Sequence, residues 1–165
     1  MKRKTALYGL LVALAFVFSY LESLLPVFIG IPGVKLGLAN CVVLVTLYLL
    51  RPVDALAISC VRILLAGFTF GSPASMLYSF CGGLLSLLVM ILCRRSDRLS
   101  VLGVSIAGGV SHNIGQLIAA AAVMRTLQIV WYAPVLLVSG TLTGGLIGLL
   151  ARLLLPRLQK VQKSN

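Results

Sequence analysis

Acidic side chains are nearly absent. The 165-residue chain holds three, Glu22, Asp54 and Asp97, against fourteen Lys and Arg. They lie far apart in sequence, so no paired carboxylates are available for a glycosidase-type or two-metal site. Histidine is scarcer still: His112 is the only one. Without a second His or a neighbouring acid there is no metal-ligand set. A Ser–His–Asp arrangement fails too, because His112 falls in the middle of an apolar run, away from Asp54 and Asp97. No GxxxxGK[ST] segment occurs, so this chain does not cradle nucleotide phosphates in a P-loop. The four cysteines, Cys41, Cys60, Cys81 and Cys93, lack any CxxC spacing and read as small apolar filler. The inventory predicts no metal, no cofactor and no enzyme activity from this chain alone.

What the chain has instead is apolar length. Hydrophobic residues make up 60% and charged residues 10%, with a mean hydropathy of +1.11. A soluble domain carries about 25% charged residues. One compact core of this size cannot hide so much apolar surface, so the remaining solvent is lipid. A spanning helix needs about 20 apolar residues. The pattern predicts one all-α integral membrane domain over residues 1–165. Its six transmembrane helices cover about 5–22, 36–50, 53–70, 73–93, 100–124 and 133–155. The basic start Lys2-Arg3-Lys4 followed by an apolar run resembles a signal peptide. The run closes on Ser19-Tyr20-Leu21-Glu22 with no small-x-small site, so it reads as an uncleaved first helix. Residues 24–35, with two prolines and two glycines, break the helical pattern but stay apolar, as a loop hugging the membrane would. Pro52 after Arg51, the pair Ser72-Pro73, and Ser100 read as starts of the third, fourth and fifth helices. Pro156 reads as the end of the sixth, leaving a polar, basic tail over 157–165.

The basic residues are sorted by side. In the six-span arrangement eleven of the fourteen fall with the two termini: Lys2, Arg3, Lys4, Arg51, Arg94, Arg95, Arg98, Arg152, Arg157, Lys160 and Lys163. Lys35 and Arg125 fall on the other side, and Arg62 lies within a span. Lys and Arg stay in the cytoplasm, so both termini are expected there. The excess of +11 then reports topology. It is not a nucleic-acid surface, which needs a basic patch on a solvated fold. Trp131 and Tyr132 fall at the outer end of the sixth helix, where an aromatic belt belongs.

Polar residues inside spans are functional candidates because burying them is costly. Arg62 lies nine residues beyond Val53, about 14 Å along a helix. It either faces an internal cavity, where it would bind an anionic ligand, or snorkels outward past Gly67. Ser59 shares its helix face. His112, Asn113 and Gln116 cluster in the fifth span; they line a wet site or hydrogen-bond between helices. Lys35 at the outer start of the second helix, with Asn40 one turn deeper, combines a cation with a helix N-terminus, a pairing that draws anions. It also reads as a plain solvated charge. Glu22, on the same outer side, pairs with Lys35 or is wet. Small residues recur at four on helix six (Gly140, Gly144, Gly148), helix four (Ser75, Ser79, Gly83) and helix one (Gly9, Ala13), faces that permit close helix contact.

The stretch Gly33-Val34-Lys35-Leu36-Gly37-Leu38-Ala39-Asn40, the Arg62 span, the loop Phe70-Gly71-Ser72-Pro73 and the run Ser111-His112-Asn113-Ile114-Gly115-Gln116-Leu117 resemble a bacterial family. It is called Gx transporter, and also heptaprenyl diphosphate synthase component I. That family looks related to the substrate-binding S components of energy-coupling factor (ECF) transporters. The resemblance implies a six-helix bundle in the bacterial cytoplasmic membrane, with loop 24–35 as a lid over an outward-opening pocket. It implies a small-molecule ligand, and the residues read above, Lys35, Asn40, Arg62, His112, Asn113 and Gln116, are the candidates to hold it, as an anion. It also implies an ECF coupling subunit docked on Gly9 and Ala13, with separate ATPases supplying energy. The second family label implies a different role. Prenyl diphosphate synthases resemble soluble helical enzymes with Asp-rich motifs for magnesium and diphosphate. This chain has two aspartates and cannot supply that metal site. The alternative is therefore a non-catalytic membrane subunit of isoprenoid, quinone or flavin-linked redox machinery. The charge sorting yields a direct test: a reporter fused after Asn165 that works only in the cytoplasm should be active, and activity of an exclusively external reporter would overturn the topology.

Overall fold

A computed structural model describes residues 2–24, 37–96 and 98–163. Among these residues the chain is all-helical: α1 Lys2–Leu24, α2 Leu38–Leu49, α3 Pro52–Thr69, α4 Pro73–Arg95, α5 Val101–Met124 and α6 Ala133–Lys163, with a 3-10 helix at Gln128–Tyr132 leading into α6. Five helices are long and apolar enough to cross a membrane, as in a multi-pass membrane protein; α2, with twelve residues, is shorter.

The local chemistry explains the starts. Pro52 opens α3, and the Asp54 carboxylate accepts from Arg51 N at 3.0 Å. Ser72 caps α4: its Oγ accepts from Ser75 N at 3.1 Å, while Ser75 Oγ accepts from Ser72 N at 2.9 Å. Ser100 Oγ accepts from Gly103 N at 3.3 Å to start α5. Each side chain satisfies a backbone donor that the first turn leaves orphaned. α2 starts differently. Gly37 precedes it at φ 76°, a left-handed conformation that glycine adopts without strain.

Two three-helix groups make up the bundle. In the first, α1 packs on α2 and α3; in the second, α5 lies between α4 and α6. α3 against α4, and α2 against α6, join the groups. α2 is buried from Cys41 through Leu47 on all its faces, as a helix apolar all round must be. Leu44 and Leu47 meet Leu87, Met90, Val104, Ile147 and Ala151, and Val42 meets Leu11, Ala15 and Ile58. The cation of Arg94 closes the far end of α2. Its Nη1 donates to Leu47 O and its guanidinium lies 5.0 Å from the centre of the Tyr48 ring, so it satisfies a terminal carbonyl and stacks on an aromatic face together.

The second group is held by backbone proximity. A Cβ on Gly144 would sit 2.8 Å from Ile106 Cα, one on Gly148 2.9 Å from Leu102 Cα, and one on Gly140 2.9 Å from Gly109 O. Ser105 Oγ donates to Gly144 O at 2.7 Å and Ser86 Oγ to Gly108 O at 2.8 Å. On α4, Gly83 faces Ile63 and Ser59 of α3. These small-residue faces are packing inside the fold. Gly9 differs: nothing lies within 4 Å of its Cβ position, and both Gly9 and Ala13 are exposed.

One expectation needs correction. α6 does not end at Pro156; it continues to Lys163. A proline removes one N–H and frees the carbonyl four residues back, here Arg152. Arg152 is nineteen residues into α6, about 29 Å along it, near the edge of a hydrocarbon layer of about 30 Å, where water can take that carbonyl. The loop at 24–35 lies outside the described residues apart from Leu24. The glycine seam generates a contrast to test. Gly109→Ala puts a Cβ 2.5 Å from Gly140 O and should cost about 1–3 kcal/mol. Gly145→Ala enters open space and should be neutral or stabilising by up to about 1 kcal/mol. Unfolding in detergent measures both.

Candidate functional site

Arg62 points inward. It lies in the middle of α3, is 7% exposed, and faces a cavity of about 50 Å³ shared with Ser19, Glu22 and Ser23 of α1, Gly37, Asn40 of α2, Ser79 of α4 and His112 of α5. The snorkelling alternative therefore does not hold in this structure. Its Nη2 donates to Asn40 Oδ1 at 2.8 Å. Its Nε has no partner among the described residues. A cavity of this size has room for a few waters.

Glu22 is the residue that sequence reasoning misplaced. The sequence places it on the outer side, paired with Lys35 or wet, and apart from Arg62. In the structure it lines the Arg62 cavity and attracts the guanidinium electrostatically. Its Oε1 accepts from Gly37 N and, at 3.2 Å, from Leu38 N. The physical reason is the meeting of two helix ends. The first N–H groups of α2 lack intrahelical acceptors and carry the positive end of the helix dipole. The end of α1 brings the nearest carboxylate to them. A signal was present: Glu22 is the only glutamate in the chain, and a lone acid beside apolar sequence needs a partner.

The remaining candidates separate. His112 lines the Arg62 cavity and also a neighbouring one of about 20 Å³, walled by Gly37, Asn40, Ser86, Ser105, Asn113 and Thr143 among others. Asn113 belongs to that second cavity and ties helices together: its Nδ2 donates to Leu136 O at 2.7 Å and to Ser139 Oγ at 3.2 Å on α6. Gln116 lines neither cavity. It packs where Gly82 brings the α4 backbone close to His112 and Gln116, and its Oε1 has no partner among the described residues. Ser59 faces Gly83 on α4. A third cavity of about 30 Å³, lined by Ser75, Met76 and Ser79, abuts Arg62 from the α3–α4 side. Lys35 lies outside the described residues. No cluster of three or more metal-ligating side chains occurs among the described residues.

The chain matches the family described as heptaprenyl diphosphate synthase component I over residues 11–154. It belongs to that family. The match takes in every helix that lines the Arg62 cavity. No curated protein and no solved structure matches the chain.

The electrostatics predict unequal costs at the two charges. Glu22→Ala leaves a buried cation without its acid and α2 without its cap, and should cost on the order of 3 kcal/mol. Arg62→Leu removes the more deeply buried charge and leaves Glu22 half-buried on its α2 N–H donors, so it should stay within about 1 kcal/mol of the parent. Asn113→Ala should fall between, at about 0.6–1.7 kcal/mol, the range of interhelical hydrogen bonds in membranes. Thermal or denaturant unfolding in detergent ranks the three.

Proposed function

We propose that this protein is a non-catalytic, multi-pass membrane subunit of heptaprenyl diphosphate synthase machinery, with six spans and both termini in the cytoplasm. Family membership over residues 11–154 carries this reading. The inventory supports the non-catalytic role. The chain has two aspartates, and Asp54 is committed to the start of α3 through Arg51 N. An Asp-rich magnesium–diphosphate site cannot be assembled from what is left. Catalysis then belongs to a partner chain, and this subunit supplies a membrane seat for it. The chemistry suits such a division: a prenyl diphosphate joins a charged head to a long apolar tail, and the tail favours lipid.

Within that role the Arg62 cavity is the binding site. A buried guanidinium with an unfilled Nε, an amide at Asn40 and an imidazole at His112 make a set suited to a carboxylate or phosphate. One observation favours a second reading. The small face of α1 at Gly9 and Ala13 is exposed and open, as a docking stripe for a transporter coupling subunit would be, and uptake of a small anion would then draw on separate ATPases.

Purification in mild detergent separates the two. Recovery of a prenyl diphosphate synthase subunit supports the synthase role; recovery of ATPases with a transmembrane coupling subunit overturns it. Ala13→Trp should leave the protein folded in either case. Under the second reading alone it should also abolish transport, through loss of close helix approach.

A further inference from the structure

The Arg62 cavity already contains an anionic group, and that group belongs to the chain itself. Glu22 Oε1 accepts from Gly37 N and Leu38 N. These donors open a twelve-residue helix and have no acceptor within it, which is how helix N-termini come to hold carboxylates and phosphates. Arg62 supplies the third donor group. It is 7% exposed, faces the same cavity and keeps its Nε unfilled among the described residues. Two backbone N–H groups and a guanidinium on one cavity wall are the donors of an anion cradle.

We infer that Glu22 is the resident occupant of an exchangeable anion site. A compact external anion, a carboxylate or a single phosphate group, takes its place on Gly37 N, Leu38 N and Arg62 when the Glu22 side chain withdraws. This rests on reading the Arg62 cavity as an anion site. Two observations make it an exchange and not an addition. The first is room. About 50 Å³ holds a few waters, and a phosphate group beside the Glu22 carboxylate would have to share that space. The second is charge. An anion entering next to Glu22 meets a like charge at close range in a low-dielectric interior, which costs several times more than in water. Removing the carboxylate from the cavity relieves both constraints together. The rest of the wall is chiefly small and polar, with Ser19, Ser23, Ser79 and Asn40. The site therefore recognises a charged head and leaves the body of the ligand outside it.

The exchange can be read on the full-length protein in phosphatidylcholine nanodiscs, with acetate and sulfate as probes against chloride at equal ionic strength. In the parent protein the probes should shift the unfolding temperature little. In Glu22→Ala they should raise it clearly, because they refill the emptied cradle. In the double variant Glu22→Ala/Arg62→Leu the rescue should vanish. Glu22→Gln keeps an acceptor for the α2 donors while removing the charge, and should bind sulfate about tenfold tighter than the parent by calorimetry, a gain of about 1.4 kcal/mol. Rescue that survives in the double variant overturns the exchange, as does a Gln variant that binds no tighter than the parent while both bind. If neither the parent nor any variant responds to either probe, the anion-site reading of the cavity falls, and the exchange with it. A lipid source and a free source share this chemistry. Stabilisation of the Gln variant by phosphatidate in the nanodisc, without sulfate, assigns the site to a lipid headgroup. Stabilisation by soluble sulfate alone assigns it to a free anion. Both support the exchange.

Discussion

A guanidinium in the interior of an apolar bundle is the constraint around which the first three helices are arranged. Placing a cation in hydrocarbon costs several kcal/mol even by the lower estimates. The cost is met by bringing polar groups from separate helices to one point. Asn40 arrives on the first turn of α2, Glu22 on the last turns of α1, and His112 from the far group on α5. For Glu22 to reach both Arg62's cavity and the start of α2, the chain must enter α2 with its first N–H groups turned toward α1. The left-handed Gly37 accomplishes that turn. The backbone conformation at one glycine and the charge on one arginine are therefore parts of the same solution.

The other three helices depend on a different economy. Lipid tails are as apolar as leucine, so helices in a membrane gain little from burying leucines against each other. What they gain is dispersion from close contact and the occasional hydrogen bond to a backbone carbonyl. α5 collects both. It meets α4 at Gly82 and Gly115, and α6 at Gly109, Gly140 and Gly144. Ser86, Ser105 and Asn113 add bonds to carbonyls across those seams. His112 rides on this rigid central helix, so its place beside Arg62 is fixed by glycine contacts some way from it.

Most of the fold was legible because its signals are local. Pro52, Ser72-Pro73 and Ser100 mark helix starts by chemistry confined to one turn, and all three stand where the sequence places them. For Arg62 the sequence left two positions open, an internal cavity or outward snorkelling, and the packing of α3 turns it inward. The site was legible only in part, because its composition depends on how helices are rotated and paired. His112 and Gln116 share a face as i,i+4 neighbours, yet one turn of rise, about 5.4 Å, carries Gln116 past the cavity to the α4 backbone. Asn113, one residue on, turns by about 100° to α6. Glu22 was invisible as a site residue because nothing in a linear sequence states that the end of α1 meets the start of α2. α6 was misjudged at Pro156 because the penalty of a proline depends on whether the orphaned carbonyl can find water.

The length of α6 has a consequence outside the bilayer. Thirty-one residues make a rod of about 46 Å, while the hydrocarbon layer is about 30 Å thick. With little tilt, roughly ten residues are left over, and they carry Arg157 and Lys160. These charges are mounted on a stiff spur continuous with the membrane core, and not on a loose tether. Whatever meets them, an acidic surface or an anionic leaflet, is held at a height and angle set by the helix, so the spur works as a ruler for distance from the membrane.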